Sequence, residues 1–325
     1  MKKIIALILM AAMLLGAACA DISFTYNAHM GYQGEGTTIR IENDGKNAGE
    51  TVELRDETGA VLAEVTLIRS KGRQNVEITV PTGRACVTLS LWRSGAETPD
   101  DTVMLAAETR PGYSITRVDR DDKLISITFD SANAPSKTLQ ILDLLDQYDA
   151  KCTFFLQGTF LKANPDVVKE IEARGHEVAN HSYNHPNMPD LTNDQIIADF
   201  NKSSAIFNEV LGHEPALYRP PSGYSSQRDR AIARALGQEV IKWTVDSRDG
   251  FQDSTLNTVI KRVQNNAGSG AIVLMHVYGK HTLKALETLL PWYIEQGYRF
   301  VTVSDLLLTG ETTIDTDGVQ HTVQQ

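Results

Sequence analysis

Six side chains able to carry acid, base or metal chemistry are spread over the middle and second half of the 325-residue chain: Asp130, His181, His185, Arg219, Asp246 and His276. His181 and His185 stand at i and i+4, a spacing that one helical turn brings to the same face and that suits a divalent metal. Two imidazoles alone make a weak site, and a pair of loop histidines bonded to backbone is the plainer alternative. Each of the others also has a structural reading. Asp130 follows an apolar run and could cap the next helix. Arg219 lies in Tyr218-Arg219-Pro220-Pro221-Ser222-Gly223, which could be a surface loop stiffened by prolines, and Asp246 with His276 could form an ordinary hydrogen bond.

The elements around these residues decide between the readings. After Pro111-Gly112, apolar runs at 124–129, 152–156, 176–179, 216–218, 239–243, 271–275 and 300–303 read as buried parallel strands. Helical stretches at 136–148, 164–174, 192–210, 227–236, 254–264 and 282–296 alternate with them, and Gly175, Gly237 and Gly297 act as stop signals. This alternation predicts an α/β fold, a distorted TIM-like (β/α)7 barrel one unit short of eight. In such barrels chemistry sits on loops after the carboxyl ends of the strands. All six residues follow strands, so they converge on one rim. His213 and His281, at helix ends, and His321, in the tail, read as solvated.

Upstream, short alternating runs such as 38–41, 51–55, 61–67, 76–80 and 85–91 are separated by turn residues and predict a small all-β sandwich. That region offers no cluster of His, Cys or carboxylates, and His29 reads as a surface residue. The first twenty residues have the form of an export signal, with Lys2 and Lys3, an apolar run from Ile4 to Leu15, and Ala18-Cys19-Ala20 before Asp21. Lipid anchoring through Cys19 is the rival, although Gly16 stands where a Leu is usual. The expected organisation is therefore 1–20 signal peptide, 21–112 β-sandwich, 113–309 catalytic barrel and 310–325 a disordered polar tail. The mature chain should carry no transmembrane helix and should work, secreted or in the cell envelope, in an oxidising space. Cys86 and Cys152 fall in different domains and read as small buried hydrophobes. The formal net charge of −10 argues against a nucleic-acid partner, which would need a basic footprint. No oligomeric state is legible.

The residues resemble the polysaccharide deacetylases with a NodB homology domain, carbohydrate esterase family four. The resemblance runs from about Asp122 to Leu308 and rests on five ordered motifs. These are Thr128-Phe129-Asp130, His181-Ser182-x-x-His185, Arg219-Pro220-Pro221-Ser222-Gly223, Trp243-Thr244-Val245-Asp246-Ser247-Arg248-Asp249 and Leu274-Met275-His276. The sporulation-type, peptidoglycan-associated branch is the most similar. The resemblance implies metal-assisted hydrolysis of an N-acetyl amide on a polysaccharide, with peptidoglycan or another N-acetylglucosamine-containing glycan as partner. It implies a divalent metal on His181 and His185, zinc first, with cobalt, nickel or manganese also suited. Asp130 would be the general base, Arg219 its orienting partner, and His276 the acid tuned by Asp246. Pro221, Ser222, Trp243 and Leu274 would contact substrate. Three positions depart from the family pattern. Ser131 replaces the Asp that is the third metal ligand, leaving Asn133 as the nearest substitute; Ser222 replaces an aromatic, and Gly250 a Trp. The alternatives are a catalytically weak or silent glycan-binding protein and an O-acetyl esterase.

Overall fold

The computed structural model describes residues 22–25, 30–68, 71–83, 86–108, 112–131 and 134–323, with the backbone alone for Cys86 and Ser131. The expected signal segment, His29 and Asn133 lie outside the described residues. The chain divides into two compact units, one ending at Ala107 and one beginning at Glu108.

The first unit contains strands β1 (Ile22–Phe24), β2 (Met30–Tyr32), β3 (Gly36–Asn43), β4 (Thr51–Arg55), β5 (Val61–Thr66), β6 (Gly72–Thr79), β7 (Cys86–Arg93) and β8 (Asp101–Glu108). They form two sheets, ordered β1-β3-β6 and β2-β8-β7-β4-β5. Period-two alternation sends Ile39, Ile41, Val52, Leu54, Leu89 and Leu91 into one shared core, as expected of a sandwich.

The second unit opens with β9 (Arg117–Val118), then β10 (Leu124–Ser131), α1 (Pro135–Gln147), β11 (Thr153–Leu156), α2 (Gly158–Ala163), α3 (Pro165–Ala173) and β12 (Glu177–Asn180). It continues through α4 (Asn193–Leu211), β13 (Leu217–Tyr218), α5 (Gln227–Ala235), β14 (Glu239–Val240), β15 (Val245–Asp246), α6 (Leu256–Asn266) and β16 (Ile272–His276). It ends with α7 (Thr282–Glu295), β17 (Arg299–Phe300), α8 (Val303–Leu306), β18 (Thr312–Ile314) and β19 (Val319–Thr322). Strands β10 to β17 form a curled parallel sheet ordered β14-β13-β12-β11-β10-β16-β15, with β17 also paired to β10. The edges β14 and β15 do not pair with each other, so the barrel is open. The apolar stretch expected as one strand at 239–243 is divided because it crosses this gap: Ile241 bridges to Ile115, and Thr244 donates to Ile272.

Strand β10 is the axis of the unit, pairing with β11, β16 and β17. Its residues Ile125, Ile127 and Phe129 pack with the helical layer, where Phe129 stacks on Phe154 at 5.0 Å. The alternate residues Ser126, Thr128 and Asp130 are also buried, on the strand's other face. A second cluster, including Leu124, Phe155, Ala179, Leu217 and Ile272, packs with Trp243. Cys152 is a free, buried thiol whose pKa burial pushes far up, as expected of a small hydrophobe.

The polar tail is a correction to the sequence reading. Residues 312–322 form an antiparallel hairpin whose β19 pairs in parallel with β9, and His321 bridges Asp119 and Asp315 at 2.9 and 3.0 Å. Low hydrophobicity concealed it because long-range backbone pairing and side-chain bridges hold it, with Ile314 packed against a buried cluster of the second unit. Gly318 has a φ of +83°, and a Cβ there would come within 2.5 Å of the Ser114 carbonyl. Replacing Gly318 by Ala should therefore cost about 1–3 kcal/mol of hairpin docking. Limited proteolysis should then cut the tail earlier than in the parent, while the barrel stays folded by circular dichroism.

Candidate functional site

Asp130 and His276 end neighbouring strands and are direct partners in the β10–β16 register, which points both side chains to the same side of the sheet. Arg219 reaches Asp130 from the far side of the sheet. It follows β13, three positions away in the strand order, yet its guanidinium lies 3.9 Å over the Phe155 ring and 5.7 Å from Trp243. Its Nη1 donates to Asp130 Oδ1 and to Thr128 Oγ1, each at 2.8 Å, and its Nη2 donates to the Lys242 carbonyl at 2.9 Å. Arg219 is fully buried and Asp130 is 8% exposed, so the surface-loop reading of Arg219 is wrong. Asp130 does not cap the following helix either, because the N-cap of α1 is Ala134 and no side chain bonds there. Burial pushes the Asp130 carboxyl up, but Arg219 and the two nearby imidazoles outweigh it and hold the pKa below the usual carboxylate range.

The same arginine fixes a histidine. His181 Nδ1 donates to the Arg219 carbonyl at 2.8 Å, leaving Nε2 with its lone pair, 3.6 Å from Asp130 Oδ2. Burial holds the His181 pKa below the ordinary value, which favours the neutral ring that a metal requires. The His185 ring lies 5.0 Å from it. The helical turn expected to bring the two rings together is absent. Positive φ angles at Ser182 (66°) and His185 (62°) fold the loop instead, with the Ser182 hydroxyl accepting the His185 N–H at 2.9 Å. Asp199 on α4 anchors the loop by accepting the Tyr183 N–H at 2.9 Å, and burial pushes its carboxyl up to about 6. The donor chemistry of His181 and His185 fits a divalent cation, but no cluster of three His, Cys, Asp or Glu is assembled among the described residues. The side chain of Ser131 lies outside them.

His276 carries a further correction. The carboxylate on its ring is Asp249, not Asp246: His276 Nδ1 donates to Asp249 Oδ1 at 2.9 Å, and its backbone N–H donates to Oδ2 at 2.8 Å. Asp249 is buried and also accepts from the Thr282 hydroxyl. Asp246 lines the cleft and accepts the Arg248 N–H at 2.8 Å, adding only a weaker through-space pull. Burial lowers the His276 pKa, yet the Asp249 hydrogen bond and charge outweigh it and raise the value above the ordinary imidazole. The motif string contained both carboxylates; spacing could not tell which one the turn after β15 points at the ring.

Asp130, His181, His185, Asp246 and His276 line an open cleft of about 400 Å³ that also contains Gln157, Ser222, Gly223, Trp243, Leu274, Phe251 and Tyr278. Pro221, expected to touch substrate, is instead buried in a single 3₁₀ turn, Pro221–Gly223, where Ser222 takes a φ of +56°. Gly223 is required: with φ +71°, a Cβ would sit 2.5 Å from the Trp243 ring. Where the family pattern has aromatics at Ser222 and Gly250, the cleft instead carries the rings of Phe251 and Tyr278, each 48% exposed. A Cβ at Gly250 would lie 3.2 Å from His276 Nδ1 and 3.4 Å from Tyr278 Oη, so the tyrosine stands beside the position of the missing Trp.

A family model described as polysaccharide deacetylase matches residues 117–241. A peptidoglycan-N-acetylglucosamine deacetylase of Bacillus cereus is 37% identical over 211 residues, covering 63% of this chain and 98% of the relative. The peptidoglycan-N-acetylmuramic acid deacetylase PdaC of Bacillus subtilis is 33% identical over 189 residues, and there the chain spans only 40% of the relative's length. Among solved structures, a CE4 family pseudoenzyme of Bacillus anthracis matches with a TM-score of 0.57 at 30% identity, covering 63% of this chain and 74% of that one.

The Asp249–His276 pair gives a pH-dependent prediction. Because the folded imidazole pKa is raised, its stabilisation is complete below the unfolded value, about 6.5, and is lost as pH rises through the folded value. Asp249→Asn should lower the His276 pKa in an NMR titration and flatten the pH dependence of the urea midpoint across that window. An unchanged titration would show that Asp249 does not tune the ring.

Proposed function

This chain belongs to the polysaccharide deacetylase family, and from that premise we propose that it removes N-acetyl groups from peptidoglycan as an exported protein of the cell envelope. The observation that carries the reading is the pairing of Asp130 and His276 on adjacent strands with opposite pKa directions. One group is kept ionised and the other is biased toward its protonated form, the division of labour that an amide hydrolysis needs. Asp130 takes a proton from the attacking water, and Arg219 keeps the carboxylate charged and aimed. His276 gives a proton to the departing amine as the C–N bond breaks, so acetate and a free amino sugar leave. His181 and His185 would hold a divalent metal, which when bound would supply Lewis acidity to the acetyl carbonyl. Leu274 and Trp243 border the cleft where the acetyl methyl and sugar ring would lie, with Phe251 and Tyr278 extending the wall. The named activities of the Bacillus cereus and Bacillus subtilis relatives support peptidoglycan as the substrate. No helix among the described residues is long and apolar enough to cross a membrane.

A second reading, a glycan-binding member without turnover, is favoured by Ser131 at the third-ligand position and by the likeness to a pseudoenzyme. Acetate release separates the two. The mature protein should release acetate from peptidoglycan and from N-acetylglucosamine oligomers, a chelator should stop it, and zinc or another divalent metal should restore it. Asp130→Asn should lower turnover by roughly 10²–10⁴-fold with the circular dichroism spectrum unchanged. Near-normal rates in that variant would remove Asp130 from the base role. Folded protein that releases no acetate with any metal would overturn the N-deacetylase reading and favour the binding one, with O-acetylated glycans the next substrate to assay. Ser131→Asp should tighten metal binding by calorimetry, because a carboxylate is a far better ligand than a neutral hydroxyl.

A further inference from the structure

A second depression of about 380 Å³, formed by the loop after β15 and by α6, shares no lining residue with the cleft and has a different character. It is lined by Arg248, Lys261 and Arg262 with Ser254, Thr258 and Asn265, and contains one carboxylate, Asp253. Three cations against one anion leave a local surplus of two positive charges in a chain of formal net charge −10. Elsewhere in the second unit, Arg120, Arg174, Arg219 and Arg234 each face a carboxylate within 3.2 Å. Among the described residues, Arg248, Lys261 and Arg262 form no ion pair.

The depression is tied to the cleft at two points. The Arg248 guanidinium lies 4.3 Å over the ring of Phe251, which lines the catalytic cleft. Arg262 Nε donates to the backbone carbonyl of Asp246, whose residue lines the same cleft, at 3.0 Å. Arg248 holds a φ of +59°, fixed by the Asp246 carboxylate on its N–H and by the Phe251 N–H and Ser254 hydroxyl on its carbonyl. The loop after β15 therefore aims Asp249 inward at His276 and Arg248 at this depression.

We propose that the depression binds a carboxylate carried by the glycan strand beside the sugar held in the cleft, so that an anionic, muramic acid-type glycan is preferred to a neutral N-acetylglucosamine polymer. This rests on the reading of the cleft as a peptidoglycan deacetylase site. A guanidinium and an ammonium converging on a carboxylate form charge-assisted hydrogen bonds, and neighbouring hydroxyl and amide groups supply further donors. A neutral sugar polymer offers the three cations no counter-charge.

The test uses peptide-free glycan strands with free lactyl carboxylates and the same strands methyl-esterified, an otherwise matched pair. The parent protein should show a higher kcat/KM on the free acid. Lys261→Glu should lower that value about tenfold through KM and leave the methyl ester unaffected, with Lys261→Ala intermediate. Equal kcat/KM for acid and ester in the parent, or equal effects of Lys261→Glu on both, would overturn the proposal. If the parent deacetylates neither form, the deacetylase reading fails while the depression is still decided by calorimetry. Tighter binding of the acid than the ester, lost in Lys261→Glu, supports it; equal binding overturns it.

Discussion

The buried ion pair between Arg219 and Asp130 is the interaction on which the site depends. Burying two charges is unfavourable unless both are paired and hydrogen-bonded, and removing one partner of such a pair costs about 3–5 kcal/mol. Here the guanidinium is met by Asp130, Thr128 and the Lys242 carbonyl, with Phe155 below it. The side chain crosses β12 and β11 to reach β10, so it acts as a tie across the open interior of the half-barrel. Its own carbonyl accepts from His181, so one residue positions both Asp130 and the first imidazole.

A parallel sheet makes this arrangement possible. Adjacent strands lie about 4.8 Å apart, and in-register residues face the same way, so a carboxylate ending β10 and an imidazole ending β16 share one cleft. What differentiates them is the partner each is given. Asp130 has a cation beside it and moves down; His276 has a buried carboxylate beside it and moves up, although burial alone would push both the other way. Substrate-sized space then comes from the loops, where left-handed residues at Ser182, His185, Ser222 and Arg248 concentrate around the rim. Backbone strain gathers at the site because loops there are shaped to aim side chains rather than to relax.

The loop after β15 links the cleft to the surface beyond it. Asp246, Arg248, Asp249 and Phe251 fall within six residues, yet they serve a cleft wall, a cationic depression, the His276 ring and an aromatic face. The aromatic contacts missing at Ser222 and Gly250 reappear at Phe251 and Tyr278, which come from different positions in the chain. A wall can be rebuilt in this way because it requires only an exposed ring at the right place, whereas Asp130, His276 and the buried Arg219 are held by specific hydrogen bonds that no neighbouring residue duplicates.

The sequence by itself determined the α/β alternation, the preceding β-sandwich and the convergence of Asp130, His181, His185, Arg219 and His276 on one rim, because strand and helix periods and the rim rule are local signals. It also carried the family, through five ordered motifs. Only the tertiary structure decided which carboxylate faces His276, since Asp246 and Asp249 differ by a turn whose direction spacing does not encode. It also decided that left-handed backbone rather than a helical turn unites the histidines, and that the polar tail pairs with β9, a contact about two hundred residues away in sequence. Phe251 and Tyr278 were invisible for the same reason: an exposed aromatic becomes part of a site only when the fold brings distant loops to one cleft.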